Sequence, residues 1–185
     1  MKYNNSTITE RFNNNENLKF LFFWGHQPNK DGSICKSCFS QWWEASFEID
    51  GITYPTAEHF MMAGKAKVFN DIEILEKIFK SKHPNEAKKL GRKIKNFTPE
   101  IWNEHKYNIV LKANYAKFSQ NNDLNTYLLN TKDSVIVEAS PVDPIWGIGM
   151  ATDNPNIKNP KNWKGENLLG YALMEVRDQL KSLNL

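Results

Sequence analysis

The sequence predicts a mainly α-helical protein with a small β-sheet and hairpin component, folded as a single compact domain. From Pro55 onward, apolar residues recur three to four positions apart, which is the period of helices that bury one face. Strand-like runs are short and occur in only three places. The length of 185 residues suits one domain with its own core, and no internal repeat is apparent.

The first half of the chain begins with a polar segment and contains two of the strand-like runs. Residues 1–17 are rich in Asn and predict a poorly ordered tail or surface arm, so the domain is expected to span 18–185. Phe20–Trp24 reads as a first strand. Residues 47–54 alternate apolar and polar side chains around Asp50-Gly51, a dipeptide preferred in two-residue hairpin turns.

Helices are expected over most of the remaining chain. Pro55-Thr56 is a helix start signal, because proline is tolerated in the first turn. The predicted helices are 55–69, 72–79, 85–93, 101–118, 124–129 and a last one from about Asn167. The third strand is a buried run, Val135 to Ala139, and 152–164 reads as a polar loop.

Composition and cysteine content bound the possible functions. The formal charge of +3 is compatible with anionic small molecules or nucleic acid and requires neither. Cys35 and Cys38 form a lone C-x-x-C, and two thiols cannot complete a tetrahedral zinc site by themselves. No apolar leader or membrane span is recognisable, and phosphate-loop, dinucleotide and zinc-protease motifs are missing. We therefore expect a cytoplasmic protein with no metal, no cofactor and no membrane partner, and the sequence leaves its oligomeric state open.

Residues 138–149 (EASPVDPIWGIG) are the most informative stretch of the chain. Two prolines hold Asp143 on stiffened, extended backbone. Gly147 and Gly149 allow positive φ or the close approach of another group, next to the flat ring of Trp146. The segment is either a tight turn around a core tryptophan or a site with a rigidly presented acid.

Charged residues also lie on one face of the helix predicted over 55–69. Glu58, Met62 and Lys65 are spaced i, i+4 and i+7, so they share a face, with the two charges roughly 10 Å apart. This pattern fits a solvated charged face or two groups that converge on one ligand. The rest of the helix is apolar or small, and charges in such surroundings need a partner or a cavity.

Two further positions have both a structural and a functional interpretation. Arg92 lies in the basic segment 85–95, which is either a solvated helix face or a phosphate or nucleic-acid patch with Arg92 turned inward as a phosphate clamp. Asn167 is a natural N-cap for the last helix, and a helix N-terminus can hold an anion.

Taken together, dispersed carboxylates, a lysine and tryptophans fit hydrolysis at an anomeric carbon. That reaction needs one carboxylate to stabilise an oxocarbenium-like centre and direct water, and another group to help the leaving base depart. The same inventory fits a pocket that merely binds a base and a ribose.

Several blocks, in order, resemble the NADAR family, which is also called YbiA-like. They are Phe47 with 51–59 (GITYPTAEH), 65–69 (KAKVF), 87–92 (AKKLGR), 116–121 (AKFSQN), 138–149 and 165–170 (GENLLG). The resemblance implies a mainly helical N-glycosidase. Its substrates would be reactive riboflavin-pathway intermediates or ADP-ribosylated guanine, so its partner would be a phosphorylated ribosyl or ADP-ribosyl small molecule, or ADP-ribosylated nucleic acid.

The resemblance also implies roles for individual residues. Glu58 and Asp143 become the acidic catalytic pair, and Lys65 a sugar contact or a transient Schiff-base nucleophile. The remaining candidates for substrate binding are Trp24, Trp102, Trp146, Gly147, Arg92 and Asn167. The alternatives are a non-catalytic module that binds ADP-ribose or NAD and a nucleic-acid binder that uses residues 88–95.

The chain departs from the family pattern in its first block. Many members have Leu-Ser-Asn-Phe, whereas this chain has Phe39-Ser-Gln-Trp42 after an insertion that carries both cysteines. Because Gln41 is longer than asparagine, we expect a different substrate rim.

Overall fold

The computed structural model describes residues 1–183, and its helices dominate as the sequence predicts. The helices are α1 (Asn5–Asn13), α2 (Ala57–Val68), α3 (Ile72–Lys80), α4 (Pro84–Gly91), α5 (Pro99–Gln120), α6 (Asn122–Leu129) and α7 (Leu168–Leu183). The strands are β1 (Phe20–Phe23), β2 (Phe47–Ile49), β3 (Ile52–Tyr54) and β4 (Val135–Glu138). Short 3-10 helices occupy Lys36–Phe39 and Pro160–Asn162.

The chain forms two compact units. One contains residues 1–40 together with the described residues from 123 onward, and the other contains residues 41–122. We call them the terminal unit and the central unit.

The terminal unit is built on a two-stranded parallel sheet. β1 pairs with β4 in a register that runs from Phe20 opposite Val135 to Phe23 opposite Glu138. The three apolar residues of β4 are fully buried, and α7 packs against this strand. A Cβ on Gly170 would lie 2.2 Å from the carbonyl oxygen of Ile136, so only glycine allows α7 to approach β4 this closely.

The sequence predicts a poorly ordered tail or a surface arm over residues 1–17, and the first alternative is wrong for residues 5–13, which form helix α1. Asn4 and Thr7 make a reciprocal capping box, which satisfies free N–H groups at the helix start. Ile8 is fully buried, and the side chain of Asn5 bonds Gly165 and Tyr171. The sequence does not show an apolar helical pattern here, because one buried apolar side chain and the capping bonds are enough to dock this short helix.

The central unit contains the predicted hairpin and four helices. β2 and β3 pair in an antiparallel register, and both turn residues, Asp50 and Gly51, have positive φ (55° and 76°), as the favoured two-residue turn requires. Helix α2 starts after Thr56, whose hydroxyl accepts the N–H of His59, and it packs against α3, α4 and α5. A helix therefore starts at Thr56 as predicted, but Pro55 precedes the N-cap and does not lie in the first turn.

Within residues 1–183, no helix combines the length and apolar character that crossing a membrane requires.

Candidate active site

Asp143 lies in the loop that follows β4 in the terminal unit, and its carboxylate is anchored by the turn that carries it. Oδ1 accepts backbone N–H groups from Ile145 at 3.0 Å and from Trp146 at 2.9 Å. Oδ2 has no hydrogen-bond partner in the part of the chain that the structure describes. The turn thus fixes one oxygen of a partly exposed carboxylate through two backbone N–H groups.

The glycines of this loop are required by close backbone contacts. A Cβ on Gly147 would lie 2.8 Å from the carbonyl oxygen of Glu138 and 3.0 Å from that of Asp143. Gly165 packs equally closely, because its Cβ would lie 2.4 Å from the carbonyl oxygen of Gly147. Gly149 has a positive φ of 63°, as expected for a residue that only glycine fits easily. The loop is consequently a tightly packed frame.

Two tryptophans accompany Asp143 in the terminal unit. Trp24 directly follows β1, and the Asp143 loop follows β4, whose pairing with β1 continues through the bond from Ala139 N–H to the Phe23 carbonyl at 2.8 Å. Because the strands are parallel, Trp24 and the loop leave the sheet at the same edge. Trp24 is 57% exposed and Trp146 is partly buried, so both retain ring surface for contact.

Asn167 is placed differently from the prediction. Its side chain is fully buried. Oδ1 accepts the N–H of Glu138 at 3.0 Å and Nδ2 donates to the Ile136 carbonyl at 3.0 Å. The amide therefore continues the sheet along the free edge of β4, and its burial argues against the predicted contact with substrate.

Glu58 lies in the first turn of α2 in the central unit and is buried, with 5% of its surface exposed. Its backbone N–H donates to the carbonyl of Gln41 at 2.9 Å. The first turn of a helix favours a negative charge, because unpaired N–H groups point toward it. The burial of Glu58 excludes the interpretation of this helix face as a solvated charged surface.

Lys65 lies two turns further along α2, between an aromatic pair and a backbone carbonyl. Its Nζ donates to the Gly91 carbonyl at 3.0 Å and lies 4.1 Å from the ring centroid of Phe97 and 5.8 Å from that of Trp102. Burial lowers the pKa of Lys65 from its ordinary value. A lysine with a lowered pKa is neutral more often at a given pH, and neutral amines are the nucleophilic form.

Trp102 and Arg92 are the other two candidates in the central unit. Trp102 is partly buried beside Lys65, and its role as a platform stays a prediction. Arg92 caps the C-terminus of α4 and is exposed, so the prediction that it turns inward is wrong. An exposed guanidinium can still meet a phosphate, and that role stays a prediction.

Sequence reasoning did not single out three further residues of the central unit. Phe97 is 41% exposed and stacks against the ammonium of Lys65. Asn114 and Lys117 lie three residues apart on one face of α5, and both are fully buried. Two polar side chains at helical spacing among buried alanines were the available signal, since buried polar groups need compensation.

Gln41, expected at a substrate rim, is buried instead. Its side-chain oxygen accepts a hydrogen bond from Nδ2 of Asn114 at 2.8 Å. The longer side chain thus reaches into the core of the central unit.

The candidates are divided between the two units. The terminal unit holds Asp143, Trp146 and Trp24, and the central unit holds Glu58, Lys65 and Trp102 with exposed Arg92 nearby in sequence. No group of three or more His, Cys, Asp or Glu side chains suited to a metal ion occurs within residues 1–183.

Comparison with known proteins shows the family to which the chain belongs. The NADAR domain family model matches residues 22–181. N-glycosidase R617 of Acanthamoeba polyphaga mimivirus is 43% identical over 170 residues, which are 89% of this chain and 98% of that protein. N-glycosidase YbiA of Escherichia coli K12 is 35% identical over 144 residues, covering 78% and 79% of the two chains.

The fold agrees as well. The NMR structure of the E. coli protein YbiA matches with a TM-score of 0.71 and 30% sequence identity, over 90% of this chain and 87% of that one. One family domain spans most of both units, and the chain belongs to the NADAR domain family.

Proposed function

We propose that the protein is a metal-independent N-glycosidase that cleaves the bond between a base or amine and a phosphorylated ribose or ADP-ribose. The coarser part of this statement follows from family membership, because the relatives carry the name N-glycosidase and the chain is a hydrolase of N-glycosyl compounds. The observation that supports the assignment of residues is the burial of Glu58 on a helix whose other side chains are mostly apolar.

Asp143 and Glu58 supply the two carboxylates of the proposed reaction. The carbon–nitrogen bond breaks toward an oxocarbenium-like centre, which the free oxygen of Asp143 stabilises, and the bonding electron pair leaves with the base. Glu58 gives a proton to the departing nitrogen and takes one back from the water that adds to the anomeric carbon. The fixed oxygen of Asp143 lowers the cost of orienting its partner oxygen toward the sugar.

Lys65 offers a covalent route for the same reaction. Its neutral amine displaces the base from the anomeric carbon, and the base leaves with one proton of the amine. The ring carbon–oxygen bond then breaks, the ring oxygen takes the second proton, and the opened sugar remains as an imine on Nζ until water releases it. The lowered pKa of Lys65 and its single carbonyl partner support this role.

Aromatic and cationic groups account for the rest of the proposed substrate. Trp24 and Trp146 are offered as platforms on the terminal unit and Trp102 on the central unit, since base and ribose faces stack on indole rings. Arg92 is the candidate for the phosphate because its planar fork matches phosphate oxygens.

A release assay on three substrates tests the proposal. A ribosylamino-pyrimidine phosphate, ADP-ribosylated guanosine and NAD are incubated separately with the protein, with and without a chelator, and the free base is quantified. We expect release from at least one of the first two, undiminished by the chelator. Glu58→Gln should lower turnover by about 10²-fold to 10⁴-fold, the usual contribution of a general acid, at an unchanged melting temperature.

Two other outcomes identify different functions. Calorimetric binding of ADP-ribose or NAD without release of base on long incubation identifies a binding module. Affinity for DNA or RNA that falls steeply with salt, together with no release, identifies a nucleic-acid binder that uses the Lys88–Lys95 surface.

A further inference from the structure

We propose that Gln41 and Asn114 form a positioning pair that holds Glu58 in its reactive place, an inference that rests on the proposed function. Neither residue is placed in contact with substrate. Both act through the first turn of α2, which carries the carboxylate.

Gln41 connects that turn to α5 through two different groups. Its backbone carbonyl accepts the N–H of Glu58 at 2.9 Å, and its side-chain Oε1 accepts Nδ2 of Asn114 at 2.8 Å. The same Nδ2 donates to the Val110 carbonyl at 2.9 Å, one turn earlier on α5. The amide of Asn114 is thereby fixed to its own helix, and it fixes Gln41 and the backbone that receives Glu58.

The pair lies in the interior of the central unit at a cost to stability. Gln41 is 6% exposed and Asn114 is fully buried. Their remaining polar atoms, Nε2 of Gln41 and Oδ1 of Asn114, are buried and have no hydrogen-bond partner within residues 1–183. Apolar side chains of the same shape would avoid that penalty, so stability by itself does not account for two amides here.

The proposed function accounts for the two amides, because a hydrogen bond between Gln41 and Asn114 is directional and apolar contact is not. The hydrogen bond to Asn114 holds the Gln41 side chain at one position on α5. Apolar contact would allow the backbone of Gln41 and the first turn of α2 to shift together. A shift of about 1 Å at a reacting group can cost up to a hundredfold in rate.

The test is a double variant in which both amides become apolar at similar volume, Gln41→Met with Asn114→Leu. We expect the melting temperature to stay the same or rise, because the two unpaired atoms are gone. We expect kcat to fall about tenfold to a hundredfold with KM changed less than about twofold. Wild-type kcat in this variant, or a loss of activity that only follows a fall in melting temperature, overturns the proposal.

A pair of length variants provides a second readout. Gln41→Asn is too short to reach Asn114 from the same backbone position, so kcat should fall. The swap Gln41→Asn with Asn114→Gln restores the summed length and volume and should recover at least half of the lost kcat. Full activity in Gln41→Asn, measured at an unchanged melting temperature, contradicts the positioning role.

Gln120→Met is the matched control. Gln120 also lies on α5 and its amide makes two 2.8 Å hydrogen bonds to the backbone of Glu48, away from the first turn of α2. This variant should lose melting temperature and keep kcat. Failure of the proposed function can be distinguished from failure of the positioning role. In the first case, the wild-type protein releases no base from any of the three substrates.

Discussion

The carboxylate of Asp143 accepts the backbone N–H of Trp146, three residues further along the chain, at 2.9 Å. This bond ties the proposed catalytic carboxylate to the backbone of its aromatic platform within one turn. The second N–H, from Ile145, leaves Oδ1 doubly bonded to the backbone and directs Oδ2 away from it. The Asp143 side chain therefore has two separable roles: it accepts the hydrogen bonds that hold the turn, and it supplies a negative charge.

Substitutions of Asp143 should separate these contributions. Asp143→Asn keeps an oxygen that can accept both N–H groups and removes the charge, so turnover should fall about 10²-fold or more at an unchanged melting temperature. Asp143→Ala also removes the acceptor and should cost about 1 kcal/mol in the free energy of unfolding, as the loss of a helix cap does. Steady-state kinetics and denaturant titration measure the two effects. Equal stability loss in both variants would show that the charge supports the turn.

The lowered pKa of Lys65 predicts the pH dependence of the covalent route. The amine must be neutral to attack, so the rate should rise with pH and level off below 10.5, the ordinary pKa of lysine. The rings of Phe97 and Trp102 attract the ammonium form, which opposes the effect of burial. Phe97→Leu should therefore move the rising limb to lower pH. A pH–rate profile that does not move would exclude Lys65 as the titrating group.

Borohydride provides a direct test of the imine on Lys65. Reduction during turnover should add the mass of a reduced sugar phosphate to Lys65 of the wild-type protein and to no other lysine. Lys65→Arg keeps the positive charge and the contacts with the aromatic rings but cannot form the adduct. The absence of a mass shift in active wild-type protein limits Lys65 to a binding contact.

Asn167 should contribute to the stability of the fold. Asn167→Ala removes both hydrogen bonds to β4 and places a Cβ-bearing aliphatic residue at a φ of 55°, so the free energy of unfolding should fall by about 3 kcal/mol or more. Asn167→Gly relieves the backbone strain and should lose less. Chemical denaturation of both variants measures the difference. A normal unfolding curve for Asn167→Ala with reduced substrate affinity would restore the predicted binding role.

Helix α1 should support the Asp143 loop. Asn5 donates to the Gly165 carbonyl at 2.9 Å and accepts from the Tyr171 hydroxyl at 2.7 Å, and Gly165 packs against the loop at Pro144. Asn5→Ala should lower the free energy of unfolding by about 1–2 kcal/mol, the net worth of two hydrogen bonds, and reduce kcat severalfold. Ser6→Ala, an exposed change on the same helix, is the control and should leave both unchanged.

The boundaries of the elements followed closely from local signals. The hairpin around Asp50-Gly51, the helix start at Thr56 and the buried strand from Val135 each depend on neighbours in sequence, and the structure contains all three. Helix α1 escaped prediction because its stabilising contacts come from Gly165 and Tyr171, more than 150 residues away.

The sequence by itself determined which residue types share a helix face or a turn, including the spacing of Glu58 and Lys65 and the frame around Asp143. Periodicity and backbone restriction are local, so they can be read along the chain. Only the tertiary structure decided that Glu58 is buried, that Phe97 lies over Lys65 and that the Asn167 amide serves β4. Burial, pKa and hydrogen-bond partners depend on groups brought together from distant positions, and no local pattern specifies them.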